Sequence, residues 1–179
     1  MGHTSEVPER VDPVLAGSEL DTILGFLQYQ RVTLLRKVEG LTPQQWRARS
    51  TVSELTLAGL VKHLTFVEES WIVEDFLAET LPEPWTSVDW AADPDWELHS
   101  ALRDDPARLV QRYQQAWHTV AQVVATASAD DLSARELTMN GVPVRVSLRW
   151  ILLHLVEETA RHVGHADIIR EAIDGSTGE

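Results

Sequence analysis

The sequence predicts an all-α protein, a four-helix bundle with long connections and a short hairpin near residues 135–146. Three observations carry this. Apolar residues recur at helical spacing in four separate segments, cap formers and glycines bracket those segments, and extended pieces are confined to the stretch around Asn140-Gly141. A chain of 179 residues is close to one ordinary domain, long enough to bury a core without staples. Residues 18–175 are accordingly expected to form one domain, preceded by a flexible N-terminal segment, 1–17.

The first helix is expected from about Ser18 to Val38, with Leu20, Ile23, Leu24, Leu27, Val32, Leu35 and Val38 on one face. Ser18 or Asp21 caps its start, and Gly40 marks its end. The stretch LTPQQWRARSTVSELT holds a proline and several cap formers, so Thr51 or Ser53 is expected to cap a second helix from about Glu54 to Ala78. Its stripe is Leu57, Leu60, Val61, Leu64, Val67 and Trp71, and His63 falls at one edge of it. From Leu81 to Ser100 three prolines, three tryptophans and several acids show no period, which reads as a long irregular loop. Its Trp85, Trp90 and Trp96 fit either a lid over a site or a simple cover for the bundle end. A third helix is expected over Asp105 to Ser128, with Leu109, Tyr113, Ala116, Trp117 and Val120 inward. The last runs from about Ser147 to Ile173 and stops at Gly175, with Trp150, Ile151, Leu155, Ile168, Ile169 and Ile173 defining its buried side.

Composition narrows the function. There is no cysteine, which excludes disulfides, thiolate metal sites and a protein-borne sulfur nucleophile. A net charge of −13 opposes binding to phosphate backbones, so no nucleic-acid partner is expected. No stretch approaches the roughly 20 apolar residues that span a bilayer, and the N-terminus lacks the apolar core of a signal peptide. No membrane association and a cytoplasmic location are therefore expected.

The chemistry concentrates on the last helix, where His154, Glu158, His162 and His165 fall into the arc of the buried side. Glu158 and His162 are four apart and stack one turn over the other. A buried carboxylate needs a partner or a cation. Imidazole and carboxylate are good ligands for Zn²⁺, Ni²⁺, Mn²⁺ or Fe²⁺, with zinc the first expectation, and His63 is the best third ligand from another helix. The expected metal set is thus His63, Glu158 and His162. Plainer readings stand beside it: His63 as a partly buried, hydrogen-bonded histidine, and Glu158 with His162 as a simple pair. His154 and His165 read as groups orienting a ligand or as core polar residues. His99, in the loop, and His118, beside the more inward Trp117, are less suited. Glu157, Arg161, Arg170 and Glu171 read as a solvated face.

The runs SLRWILLHLVEETARHVGHADIIREAIDG, GLVKHLTFVEESW and RVTLLRKVEGLTPQQW together resemble the DinB-like superfamily, in its actinobacterial branch, over about Ser18 to Gly175. The resemblance implies a four-helix bundle with a metal held by one side chain of helix two and two of helix four. Many members use three histidines, whereas Glu158 stands at the earlier helix-four position here. The resulting His, Glu, His set is similar to that of mycothiol-dependent maleylpyruvate isomerase. A set using His154 or His165 remains an alternative.

The resemblance further implies an enzyme that activates a low-molecular-weight, mycothiol-like thiol for S-transfer to an electrophile or for isomerisation. The missing cysteine agrees, since the cofactor would deliver the sulfur. On this reading His165 orients a ligand or shuttles a proton. Arg149 meets a carboxylate of cofactor or substrate, or is a surface cation. The alternatives are a metal-dependent hydrolase and a non-catalytic, stress-associated metal-binding protein. Relatives are often dimers, which makes a homodimer a further expectation.

Overall fold

The computed structural model describes residues 7–178. It is mostly helical, with one two-stranded hairpin. Helix α1 spans Glu19–Val38, and Ser18 forms a capping box with Asp21. After a single turn, α2 (Pro43–Trp46), comes α3 (Leu57–Glu69), which continues as a wide π-helical segment over Ser70–Phe76. The connection to the next long helix contains a 3-10 turn at Trp85–Ser87 and the short helix α4 (Trp96–Ser100). Helix α5 covers Pro106–Val124 with Asp105 as its cap. Strands β1 (Leu137–Met139) and β2 (Val142–Val144) pair antiparallel, and α6 runs over Leu148–Asp174. The part of the expected N-terminal segment over 1–6 lies outside the described residues. Residues 7–17 carry neither helix nor strand, and Arg10 donates to Thr33 Oγ1 at 3.2 Å.

The second helix begins three residues later than expected, because Thr56, not Thr51 or Ser53, accepts from a helix amide, that of Gly59 at 3.0 Å. Thr51 and Ser53 spend their hydroxyls on the turn before it, receiving the amides of Ser53 and Leu55. The expected end near Ala78 is replaced by the wider segment ending at Phe76, and Ala78 takes a left-handed φ of 55°. The hairpin lies where Asn140-Gly141 pointed, and both residues have positive φ, 52° and 78°, as a type I′ turn requires. At the far end Gly175, with φ 76°, closes α6 through its amide to Glu171 O.

Helix α1 lies along α6, and α3 lies against both α5 and α6. Two apolar clusters fill the interior. One is built around Leu34, Leu35, Leu57, Leu60, Leu64 and Tyr113, the other around Leu27, Ile72, Leu148, Ile151, Leu152 and Leu155. The α5 expectations hold: Leu109, Tyr113, Ala116, Trp117 and Val120 are all buried. On α6 two expected inward residues are corrected. Trp150 is 40% exposed and Ile168 61%, each one residue, about 100° of helix rotation, away from the buried Ile151 and Ile169.

Inside the core, Arg31 of α1 meets Glu68 of α3 in a two-pronged ion pair, Nε to Oε1 at 2.8 Å and Nη2 to Oε2 at 2.5 Å. Both side chains are almost fully buried, so each charge depends chiefly on the other. Removing one partner leaves an uncompensated charge in the interior. We expect Glu68→Ala to lose about 3–5 kcal/mol in urea unfolding. Replacing both, as Arg31→Met with Glu68→Leu, should recover most of that loss.

Candidate metal centre

The centre is assembled at the seam between α3 and α6. Helical spacing brings Glu158 and His162 to one flank of α6, and the antiparallel packing of α3 sets His63 opposite them. Single donor atoms of His63, Glu158 and His162 all lie within 4.8 Å of one another. The rings of His63 and His162 meet edge to face, with centroids 4.8 Å apart. His162 Nε2 is 3.4 Å from Glu158 Oε2. The three side chains sit at the rim of the buried stripe, not at its middle, and remain 14–24% exposed. A small ligand can therefore reach them.

Each group is held from behind. Arg161 donates to Glu158 Oε1 at 3.1 Å, leaving Oε2 on the side of His162. His165 Nδ1 lies 3.2 Å from His162 Nδ1, and the two rings are tilted at a centroid distance of 5.3 Å. His63 Nδ1 is 2.9 Å from Oε1 of Glu97, which comes from α4 in the loop. Glu97 is buried, and its second oxygen, Oε2, has no hydrogen-bond partner among the described residues. Glu97 carries no signal of this role in the sequence, since it lies 34 positions from His63 in a stretch without periodicity.

The other candidates fall in different places. His154 is one turn before Glu158, with its ring stacked on Trp150 at 5.2 Å and edge-on to Trp71 at 4.9 Å. With Glu157 and Glu158 it forms a second cluster of donor atoms, which shares Glu158 with the first. Arg149 is not brought to the centre. It lies nine residues before Glu158, about 13 Å along the helix, where it joins Glu19 at 2.7 Å and Asp130 at 2.6 Å. Those two carboxylates hold its guanidinium firmly charged. His99 pairs with Asp93 at 2.9 Å, and His118 lines a separate groove between α1 and α5.

The tryptophan loop is clamped down. Trp85 is buried at 2% exposure and donates its indole N–H to Glu69, and Arg112 reaches the same carboxylate at 3.0 Å. Trp90 stacks on Phe66 of α3 at 4.7 Å. The rings thus cover the outer face of α3.

A model of the mycothiol-S-transferase family matches residues 22–175, from the first turn of α1 to the glycine that ends α6. The chain belongs to the mycothiol-S-transferase family. No curated protein matches it. Among the described residues of this family member, no helix is long and apolar enough to cross a membrane.

The donor set fits a divalent ion: two imidazoles and one carboxylate, partly shielded from water, with no thiolate required. The electrostatics agree. Burial first, then the neighbouring His63, push the His162 imidazole down to about 4 from its ordinary 6.5, so it is neutral and able to ligate near neutral pH. The same shift bears on the metal-free protein. Between pH 6.5 and about 4 the unfolded chain takes up a proton at this histidine that the folded chain refuses, so folding is weakened as pH falls through that window. We expect metal-free His162→Gln to show a shallower fall of urea midpoint over this range than the parent. Equal slopes would contradict the assignment.

Proposed function

We propose that this mycothiol-S-transferase family member holds one divalent metal, zinc by preference, through His63, Glu158 and His162. We propose further that it activates a mycothiol-like thiol there, for transfer of the sulfur to an electrophile or for isomerisation. The observation that carries the reading is the convergence of three ligand-type atoms from two helices within 4.8 Å. Its supports are the family match and a chain with no sulfur nucleophile of its own. Within this reading residues 18–175 act as one domain, and the long helices α1, α3, α5 and α6 are the four members of a bundle.

His63, Glu158 and His162 would hold the ion by three side chains, which would leave a position open to an outside thiol and would favour loss of that thiol's proton. The protein supplies the rest. His63 and His162 present imidazole nitrogens, His162 held neutral by its burial, and Glu158 presents one carboxylate oxygen while Arg161 fixes the other. S-transfer forms a carbon–sulfur bond as the leaving group departs with its electron pair, and the thiol proton must go to a base. His165, half-buried beside His162, is the imidazole suited to orient its neighbour and to pass that proton outward. Arg149, engaged by Glu19 and Asp130, takes no part in this scheme.

The test is elemental analysis of untagged protein beside Glu158→Ala and His63→Ala, followed by titration of the metal-loaded form with mycothiol. About one equivalent of metal in the parent, lost in both variants, is expected, with thiol binding that perturbs the visible bands of a cobalt-substituted sample. Metal-dependent hydrolysis that the thiol suppresses would favour a hydrolase. A large drop in melting temperature on chelation without thiol affinity would leave a structural metal protein.

A further inference from the structure

We propose that Glu97 is a positioning residue of the metal centre, and that the connection between α3 and α5 is part of that centre rather than a cover laid over it. The inference rests on the metal reading above.

Glu97 is 5% exposed, yet among the described residues no lysine or arginine forms an ion pair with it. Its contact is His63 Nδ1 at 2.9 Å, and its other oxygen is buried without a partner among the described residues. A carboxylate buried this way is a poor structural element, because its desolvation is offset by one hydrogen bond. Beside a metal-ligating imidazole the same arrangement has a purpose. Accepting from Nδ1–H fixes the tautomer that leaves the Nε2 lone pair free, orients the ring and raises its strength as a ligand. The centre then treats both imidazoles alike: Glu97 stands behind His63 at Nδ1, and His165 stands behind His162 at Nδ1.

The loop is built to deliver this carboxylate. Lys62, adjacent to His63, bonds Ser100 Oγ at 2.7 Å and lies 4.3 Å above the Trp96 ring, so it pins α4 on both sides of Glu97. Gly59, one turn earlier on α3, lies directly against Leu98 of α4. A Cβ there would stand 3.3 Å from Leu98 Cδ2 and 3.6 Å from Leu98 Cα.

The experiment is competitive titration of zinc against a chromophoric chelator, with cobalt absorption spectra, on the full chain carrying Glu97→Ala or Glu97→Gln. Melting of each metal-free form reports the fold. We expect Glu97→Ala to bind zinc about 10–100-fold more weakly, with shifted cobalt bands. Glu97→Gln, which keeps an amide oxygen as acceptor and has nearly the same shape, should fall between it and the parent. Parent-like affinity and spectrum in Glu97→Gln and Glu97→Ala, with or without a lower melting temperature, would overturn the inference while leaving the metal centre intact. A parent that takes up no metal would overturn both.

Discussion

Helix α3 is packed on nearly every side, and that single constraint organises the molecule. It touches α4, α5 and α6, so none of its charged side chains can simply turn to water. Lys62, Glu68 and Glu69 are all buried, and each has an assigned partner on a different element. Lys62 goes to Ser100 and Asp104, Glu68 to Arg31 of α1, and Glu69 to Trp85 and Arg112. These are charge-assisted bonds in a shielded interior, where leaving one partner unpaired is far worse than having neither. They set how the loop, α1 and α5 sit around α3.

His63 belongs to that same pattern. It projects from α3 between Lys62, which anchors α4, and Leu64, which is in the core. Its surroundings are thereby decided by packing made for stability. The ring is offered to α6 on one side and to Glu97 on the other. Placing a site on a helix whose neighbours are all locked suits chemistry that requires ligand atoms to be held within a fraction of an ångström.

Helix α6 contributes differently. Its buried line, through Leu148, Leu152, Leu155, Thr159, Val163 and Ala166, lies against its neighbours, while His154, Glu158, His162 and His165 form a flank half open to solvent. That position combines burial deep enough to keep His162 neutral with partial exposure of its ring and of Glu158. Trp71 and Trp150, around His154, extend the flank as an aromatic wall one to two turns away.

Much of this was legible in the sequence because it depends on local spacing. Ser18, Asn140-Gly141 and Gly175 act through neighbours within a few residues, and Glu158 with His162 follows from helical pitch alone. The His63 pairing also came from the sequence, since one histidine at the edge of an apolar stripe faces whatever packs there. Trp150 and Ile168 were misplaced for a physical reason: over 27 residues the apolar arc is wider than the buried one, and only the neighbouring helices choose which part is covered. Thr56 displaced Ser53 as the cap because the preceding turn consumed the other hydroxyls. Arg149 was drawn to Glu19 and Asp130, 130 and 19 residues away in sequence, which no local pattern encodes. By itself the sequence determined the four long helices, the caps at Ser18 and Gly175 and the residue types of the centre. Tertiary structure alone decided that Glu97 stands behind His63, because no periodicity crosses the 34 positions between them and only the packing of α4 on α3 brings them together.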